Sequence, residues 1–251
     1  MANDTSLKRR LTDVRARISS AAERAGRKSD DVQLIAVSKT HPSEFLRDAI
    51  AAGVTDLGEN RVQEAEGKID EVGRAAARWH LIGHLQSNKA RLAVQLFDVI
   101  HSLDSIALAG KLDRACEDLQ RRELPVLVQV DLGHEATKSG VIEGELTQLI
   151  ERVKSCEHLA LIGLMTLPPF FDDPELTRPF FSKLRKLRDR YFSQGAFSNG
   201  RGELSMGMTH DFEVAIEEGA TMVRVGTAIF GERGKRTSMT RCPPMTGLLG
   251  E

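Results

Sequence analysis

Cysteine is scarce in this chain: Cys116, Cys156 and Cys242 are three residues, far apart and odd in number. A disulfide framework is therefore not expected, and a reducing cytoplasm fits that usage. Aromatic residues make up 5% of the sequence, with one Trp and one Tyr, too few for a surface that stacks bases. Net charge is small as well. The 35 Lys+Arg and 36 Asp+Glu leave −1, which argues against a broad nucleic-acid footprint. No apolar run approaches the roughly 18 residues of a membrane span. The N-terminal MANDTSLKRRLTDVRARISS has no apolar h-region and no small-residue cleavage site, so no secretory leader is expected there. Linkers rich in Pro, Gly and Ser, and low-complexity segments, are also missing.

What the 251 residues do contain is alternation. Residues 5–25 place Leu7, Leu11, Val14, Ile18 and Ala22 at steps of three and four, an amphipathic helix with Thr5 or Ser6 as its cap. Short apolar runs then follow at Gln33–Val37, Val54–Leu57, Trp79–Ile82, Asp98–Ser102, Val126–Val130, Leu159–Leu164, Glu203–Met206 and Met222–Val225. Helical patterns separate them, at 43–52, 60–73, 85–95, 105–122, 142–155, 175–194 and 210–218. The runs are rich in Val, Ile and Leu with little polar alternation, as in parallel strands covered on both faces. Eight strands separated by helices predict a single α/β domain: a TIM-type (β/α)8 barrel preceded by an extra helix over residues 1–30. A doubly wound open sheet, and a division into two domains, are the alternatives. The tail 232–251 is basic and then Pro-rich, and no function is assigned to it.

In such barrels the reactive groups stand at the C-terminal ends of the strands. The first strand ends in IAVSKTHP, which brings Lys39 to the mouth. A partly desolvated lysine has a lowered pKa and can attack an aldehyde as the free amine; otherwise it is a solvated lysine closing a strand. The second strand leads into GENRVQE, where Asn60 either faces the mouth or caps the next helix. In WHLIGHLQSNK, His80 and His84 have a metal-like spacing, but Gly83 interrupts and no further ligand matches, so no metal is expected. LSMGMTHDFEVAI runs from a strand through a glycine turn into a helix, where the amides around Ser205, Met206 and Gly207 would cradle an anion. VRVGTAIFG adds Gly226 and the Thr227 hydroxyl. Loops after strands seven and eight are where phosphate binds in these barrels. Arg224 lies on the same strand face as Gly226, inside an apolar strand, and needs either a carboxylate or a ligand as its partner.

These motifs, together with SLDS, TKSG and GLMTLPP, resemble the YggS/PROSC family of pyridoxal phosphate homeostasis proteins, whose fold is similar to the N-terminal barrel of alanine racemase. The resemblance runs from about residue 33 to residue 231. It implies pyridoxal 5′-phosphate held by Lys39 as a Schiff base, with its phosphate on Ser205, Gly207, Gly226 and Thr227, partly through backbone amides. Met206 belongs to the same cradle, Arg224 meets the pyridine nitrogen and Asn60 lines the pocket. Lys138 matches a second lysine of the family pattern, or is a surface lysine before a glycine turn. Alanine racemase needs a second base, a tyrosine from a separate domain. About 20 residues follow the last motif here, and Tyr191 falls in the charged stretch FSKLRKLRDRYF, away from a mouth. The expectation is thus a non-catalytic, monomeric cytoplasmic carrier that stores the cofactor or delivers it to pyridoxal-phosphate-dependent apo-enzymes. A pyridoxal-phosphate-dependent racemase or lyase, and a sugar-phosphate enzyme using Lys39, are the competing readings.

Overall fold

The computed structural model describes residues 2–133 and 139–231; Lys138 and the tail 232–251 lie outside the described residues. Eight parallel strands close on themselves in sequence order: β1 (Gln33–Val37), β2 (Asp56–Glu59), β3 (Arg78–Leu81), β4 (Val99–Leu103), β5 (Leu124–Gln129), β6 (Leu159–Met165), β7 (Glu203–Met208) and β8 (Met222–Val225). The closing ladder pairs β8 with β1, Ile35 opposite Arg224, which excludes the open sheet.

Helices cover the outside. They are α1 (Ala2–Arg24), α2 (Ser43–Ala51), α3 (Val62–Val72), α4 (Ala90–Leu96), α5 (Ile106–Asp118), α6 (Glu143–Lys154), α7 (Arg178–Ser193), α8 (Phe212–Glu217) and α9 (Thr227–Phe230). The last two are short, with six and four residues. They leave part of the barrel wall bare, and the extra helix α1 packs across them and against α2. It buries Leu7, Leu11, Val14 and Ile18 there, the stripe expected from its spacing. Because α1 starts at Ala2, Thr5 and Ser6 lie within it and do not cap it.

Strand β2 begins two residues later than the apolar run suggests. Gly53 adopts φ +91° after α2, and Val54 donates its amide to the Ala49 carbonyl while Gly53 donates to Ile50. That pair of bonds is the Schellman closure of a helix, so Val54 is spent on α2. Strand β7 runs two residues further than expected, to Met208, through Gly207 at φ +90°.

Side-chain parity divides the core. Outward residues such as Leu57, Trp79, Leu81, Val223 and Val225 join one large cluster under the helices. Ile35, Val99, Leu127, Met165 and Met222 fill the barrel interior. The interior is unusual in also holding a buried polar set: Asp56, His80, His101, Ser205 and Arg224.

Candidate functional site

Lys39 stands two residues after the end of β1 and is half-buried at the C-terminal end of the barrel. Both of its neighbours are clamped. Ser38 is fully buried; its amide donates to the Gly58 carbonyl and its hydroxyl to Glu59 Oε1 at 2.6 Å. Thr40 stands at φ +68°, a region costly for a β-branched residue, and its amide donates to Glu64 Oε1 at 2.5 Å. The Lys68 ammonium, reaching in from α3, ties these together. It donates to the Ser38 carbonyl, to Glu59 Oε1 and to Glu64 Oε1, each at 2.7 Å. An ammonium has three protons, so all of its donors are used. Burial pushes the Glu59 carboxyl up against the pull of Lys68. Burial pushes Glu64 the same way, but the hydrogen bonds from Lys68 and the Thr40 amide outweigh it, and that carboxyl sits below its usual range.

Gly226 is packed against the base of this loop. A Cβ there would lie 3.2 Å from the Val37 carbonyl oxygen, two residues before Lys39. The Gly226 amide also donates to the Thr209 hydroxyl at 3.3 Å, joining the loop after β8 to the loop after β7. His41 stacks on Phe230 of α9 with ring centroids 5.1 Å apart. Gly207 has no room for a side chain: its Cβ would stand 2.6 Å from Ala215 Cβ and 2.9 Å from Phe212 Cα. Asp211 holds the turn after it by accepting from the Met208 amide at 2.6 Å. The backbone ends of β1, β7 and β8 thus converge at one rim, with Gly207, Gly226 and Thr227 on it.

Two of the expected cradle residues point elsewhere. Ser205 is fully buried, with its hydroxyl inside the barrel between Arg224 and His101, and Met206 turns outward into the core under the helices. The reason is pleating: residues two and one before Gly207 still obey strand alternation, and only their backbones run toward the rim. Arg224 is buried too. It donates to Ser205 Oγ at 2.5 Å and to the Thr166 carbonyl at 2.9 Å, and neither partner is a carboxylate. Burial lowers its guanidinium to about 10, leaving it charged at neutral pH.

Asn60 lies on the β2–α3 loop. It does not cap α3, whose N-cap is Arg61, and it shares a cleft with Arg61, His84 and Lys89. A Cβ on Gly83 would fall 2.3 Å from the Asn60 carbonyl oxygen, so that glycine is what lets the third loop cross the second. His80 and His84 do not converge. His80 faces the barrel axis, while His84 is exposed with its Nδ1 3.3 Å from Asp104. Among the described residues no group of three potential metal ligands exists. Tyr191 is buried in the helical layer, its hydroxyl 2.8 Å from that of Thr147.

The clamp of Glu59, Glu64 and Lys68 is absent from the expectations drawn from sequence. One signal for it was legible. Lys68 falls on the same face of α3 as Val62, Ala65 and Ile69, a cation on an apolar stripe, four residues after Glu64.

The geometry fits a small phosphorylated aldehyde: an amine, a glycine rim too tight for Cβ atoms, and a buried arginine that hydrogen-bonds to no carboxylate. Known proteins agree. The chain matches the family described as alanine racemase, N-terminal domain, over residues 10–234. It is 43% identical over 230 residues to the pyridoxal phosphate homeostasis protein of Aquifex aeolicus, covering 89% of this chain and 97% of that one. The structure of PipY from Synechococcus elongatus with PLP bound superposes with a TM-score of 0.78 at 38% identity, covering 90% of this chain and all of that chain. Alanine racemase from Corynebacterium glutamicum shares the fold alone, with a TM-score of 0.67 at 17% identity, over 89% of this chain and 62% of its own. The chain belongs to the alanine racemase N-terminal domain family and, within it, to the pyridoxal phosphate homeostasis proteins.

Proposed function

We propose that this chain binds pyridoxal 5′-phosphate and serves its homeostasis, holding the cofactor and handing it on without turnover of a substrate. The observation that supports the reading is the close approach of Gly226 to Val37, which joins the loop carrying Lys39 to the end of β8, the strand that carries buried Arg224. Lys39 Nζ is the group that would meet the aldehyde. The backbone of Met206 and Gly207, with Gly226 and the Thr227 hydroxyl, would hold the phosphate, and Asn60 would line one wall. The Ser205 hydroxyl would serve the site through Arg224. When bound, the cofactor supplies an electrophilic carbonyl and a heterocyclic electron sink. Arg224, which can only donate a hydrogen bond, would keep the ring nitrogen unprotonated and that sink weak. Tyr191 packs in the helical layer and supplies no acid at the mouth. These features favour storage and delivery to apo-enzymes in the cytoplasm over catalysis.

Titration of the purified chain with pyridoxal phosphate tests this. A saturable visible band is expected, and Lys39→Ala is expected to lose it and to bind at least about tenfold more weakly, some 1.4 kcal/mol. Amino acids added to the loaded protein are expected to show no inversion or lysis above the free-cofactor rate. Equal binding by Lys39→Ala would contradict the assignment of the amine, and turnover would contradict the carrier.

A further inference from the structure

Arg224 is one end of a hydrogen-bonded column that crosses the barrel interior. Its guanidinium donates to Ser205 Oγ at 2.5 Å, and that oxygen lies 2.9 Å from His101 Nδ1. His101 Nε2 lies 2.9 Å from His80 Nδ1, and His80 Nε2 lies 2.8 Å from Asp56 Oδ1. Asp56 opens β2 at the opposite, N-terminal end of the barrel, where the Gln33 amide and the Thr55 hydroxyl also donate to it, at 2.6 and 2.7 Å. His80, His101 and Ser205 are fully buried, and Arg224 and Asp56 nearly so.

Both ends dictate the direction of every bond between them. An arginine can only donate and an ionised aspartate can only accept. His80 must then carry its proton on Nε2, which leaves Nδ1 to accept from His101. His101 carries its proton on Nε2 as well and accepts at Nδ1 from the Ser205 hydroxyl, whose oxygen is free to accept from Arg224. All four bonds point from Arg224 toward Asp56. A buried cation with no carboxylate hydrogen-bonded to it is expensive; Asp211 attracts Arg224 only through space, and an aligned chain of dipoles ending on an anion offsets more of that cost from a distance. It also prevents Ser205 from donating to anything at the mouth.

We propose that Asp56, His80, His101 and Ser205 form one polarised column that holds the Arg224 guanidinium in place as the donor to the ring nitrogen of the cofactor. Asp56, His80 and His101 are then positioning residues for a ligand they do not touch. The inference rests on the reading above that pyridoxal phosphate occupies the mouth, and two measurements keep the two claims apart.

Nitrogen-15 spectra of the histidine rings in the full chain, before any cofactor is added, report the tautomers directly. Neutral Nε2–H rings are expected for both His80 and His101 near pH 7; an Nδ1–H tautomer or an imidazolium on either would overturn the column. In the loaded protein, His101→Leu cuts it. A shifted visible band and roughly tenfold weaker retention of pyridoxal phosphate are expected. His101→Gln, whose amide can donate to His80 and accept from Ser205, is expected to restore both. Should His101→Leu not fold, Asp56→Asn removes the charge while keeping an acceptor for His80, and the same band shift is expected. Folded variants with unchanged band and retention overturn the inference. A wild-type chain that takes up no pyridoxal phosphate overturns the proposed function instead, and the ring tautomers then decide the column alone.

Discussion

Lys68→Met is expected to destabilise the fold by about 3–5 kcal/mol, the cost of leaving a buried carboxylate without its cation. Glu59 is fully buried and Lys68 nearly so, so solvent does little to soften the loss. For a chain of this size the melting temperature should drop by about 6–20 °C. Function should suffer separately. Without Lys68, the Ser38 carbonyl and Glu64 lose a donor, and the left-handed Thr40 is held by one bond fewer in its surroundings. Lys39 sits between those two residues, so retention of the cofactor should weaken beyond what the fold loses. The double variant Lys68→Met, Glu59→Leu separates the effects. Removing both partners of a buried pair is often neutral, so stability is expected to recover while retention stays weak. A Lys68→Met protein within 1 kcal/mol of wild type in urea unfolding would contradict the clamp.

Mild acid should destabilise the protein through its interior. Burial lowers the pKa of both His80 and His101, so the folded chain keeps them neutral while the unfolded chain protonates them at about 6.5. Below that pH the unfolded state binds up to two more protons, and stability falls with pH by up to about 3 kcal/mol per unit. Stability is therefore greatest above about pH 6.5 and falls as the pH drops below it toward the depressed pKa values of the folded rings. Asp56 is pushed up by burial, but its hydrogen bonds from His80, Thr55 and Gln33 prevail and hold it below its usual range. Its share is lost only at lower pH, which separates the two contributions. Urea midpoints between pH 5 and 7.5 check this. A double variant, His80→Gln, His101→Gln, is expected to flatten the profile; an equally steep profile in it would assign the acid loss elsewhere.

The alternation of apolar runs with helical patterns made the barrel legible, and the bounds of β1 and β8 match their runs residue for residue. The bounds of β3, β4, β5 and β6 moved by one or two residues, and at two other strands a glycine decided the shift: Gly53 lent Val54 to the end of α2, and Gly207 let β7 continue to Met208. Lys39, Gly226 and Arg224 were legible because each stands out locally, a lysine after a strand, a glycine after a strand, a cation within one. Ser205 was named for a cradle of backbone amides, and the partners of its hydroxyl were not legible. Its neighbours Arg224 and His101 come from strands 19 and 104 residues away. Asp56 and His101 carried no local signal at all. Their place in the column depends on closure of the sheet and on the register of five strands, which no window of sequence contains. Closure likewise made His80, whose spacing from His84 carried no assignment in the sequence, a link between an aspartate and another histidine.

The most direct test of the whole account is borohydride reduction of the chain loaded with pyridoxal phosphate, followed by mass analysis of its peptides. The account predicts loss of the visible band and a pyridoxyl adduct on the peptide that carries Lys39, with Lys68 unmodified inside its clamp. An adduct on other lysines with Lys39 intact, or no adduct at all, would contradict it.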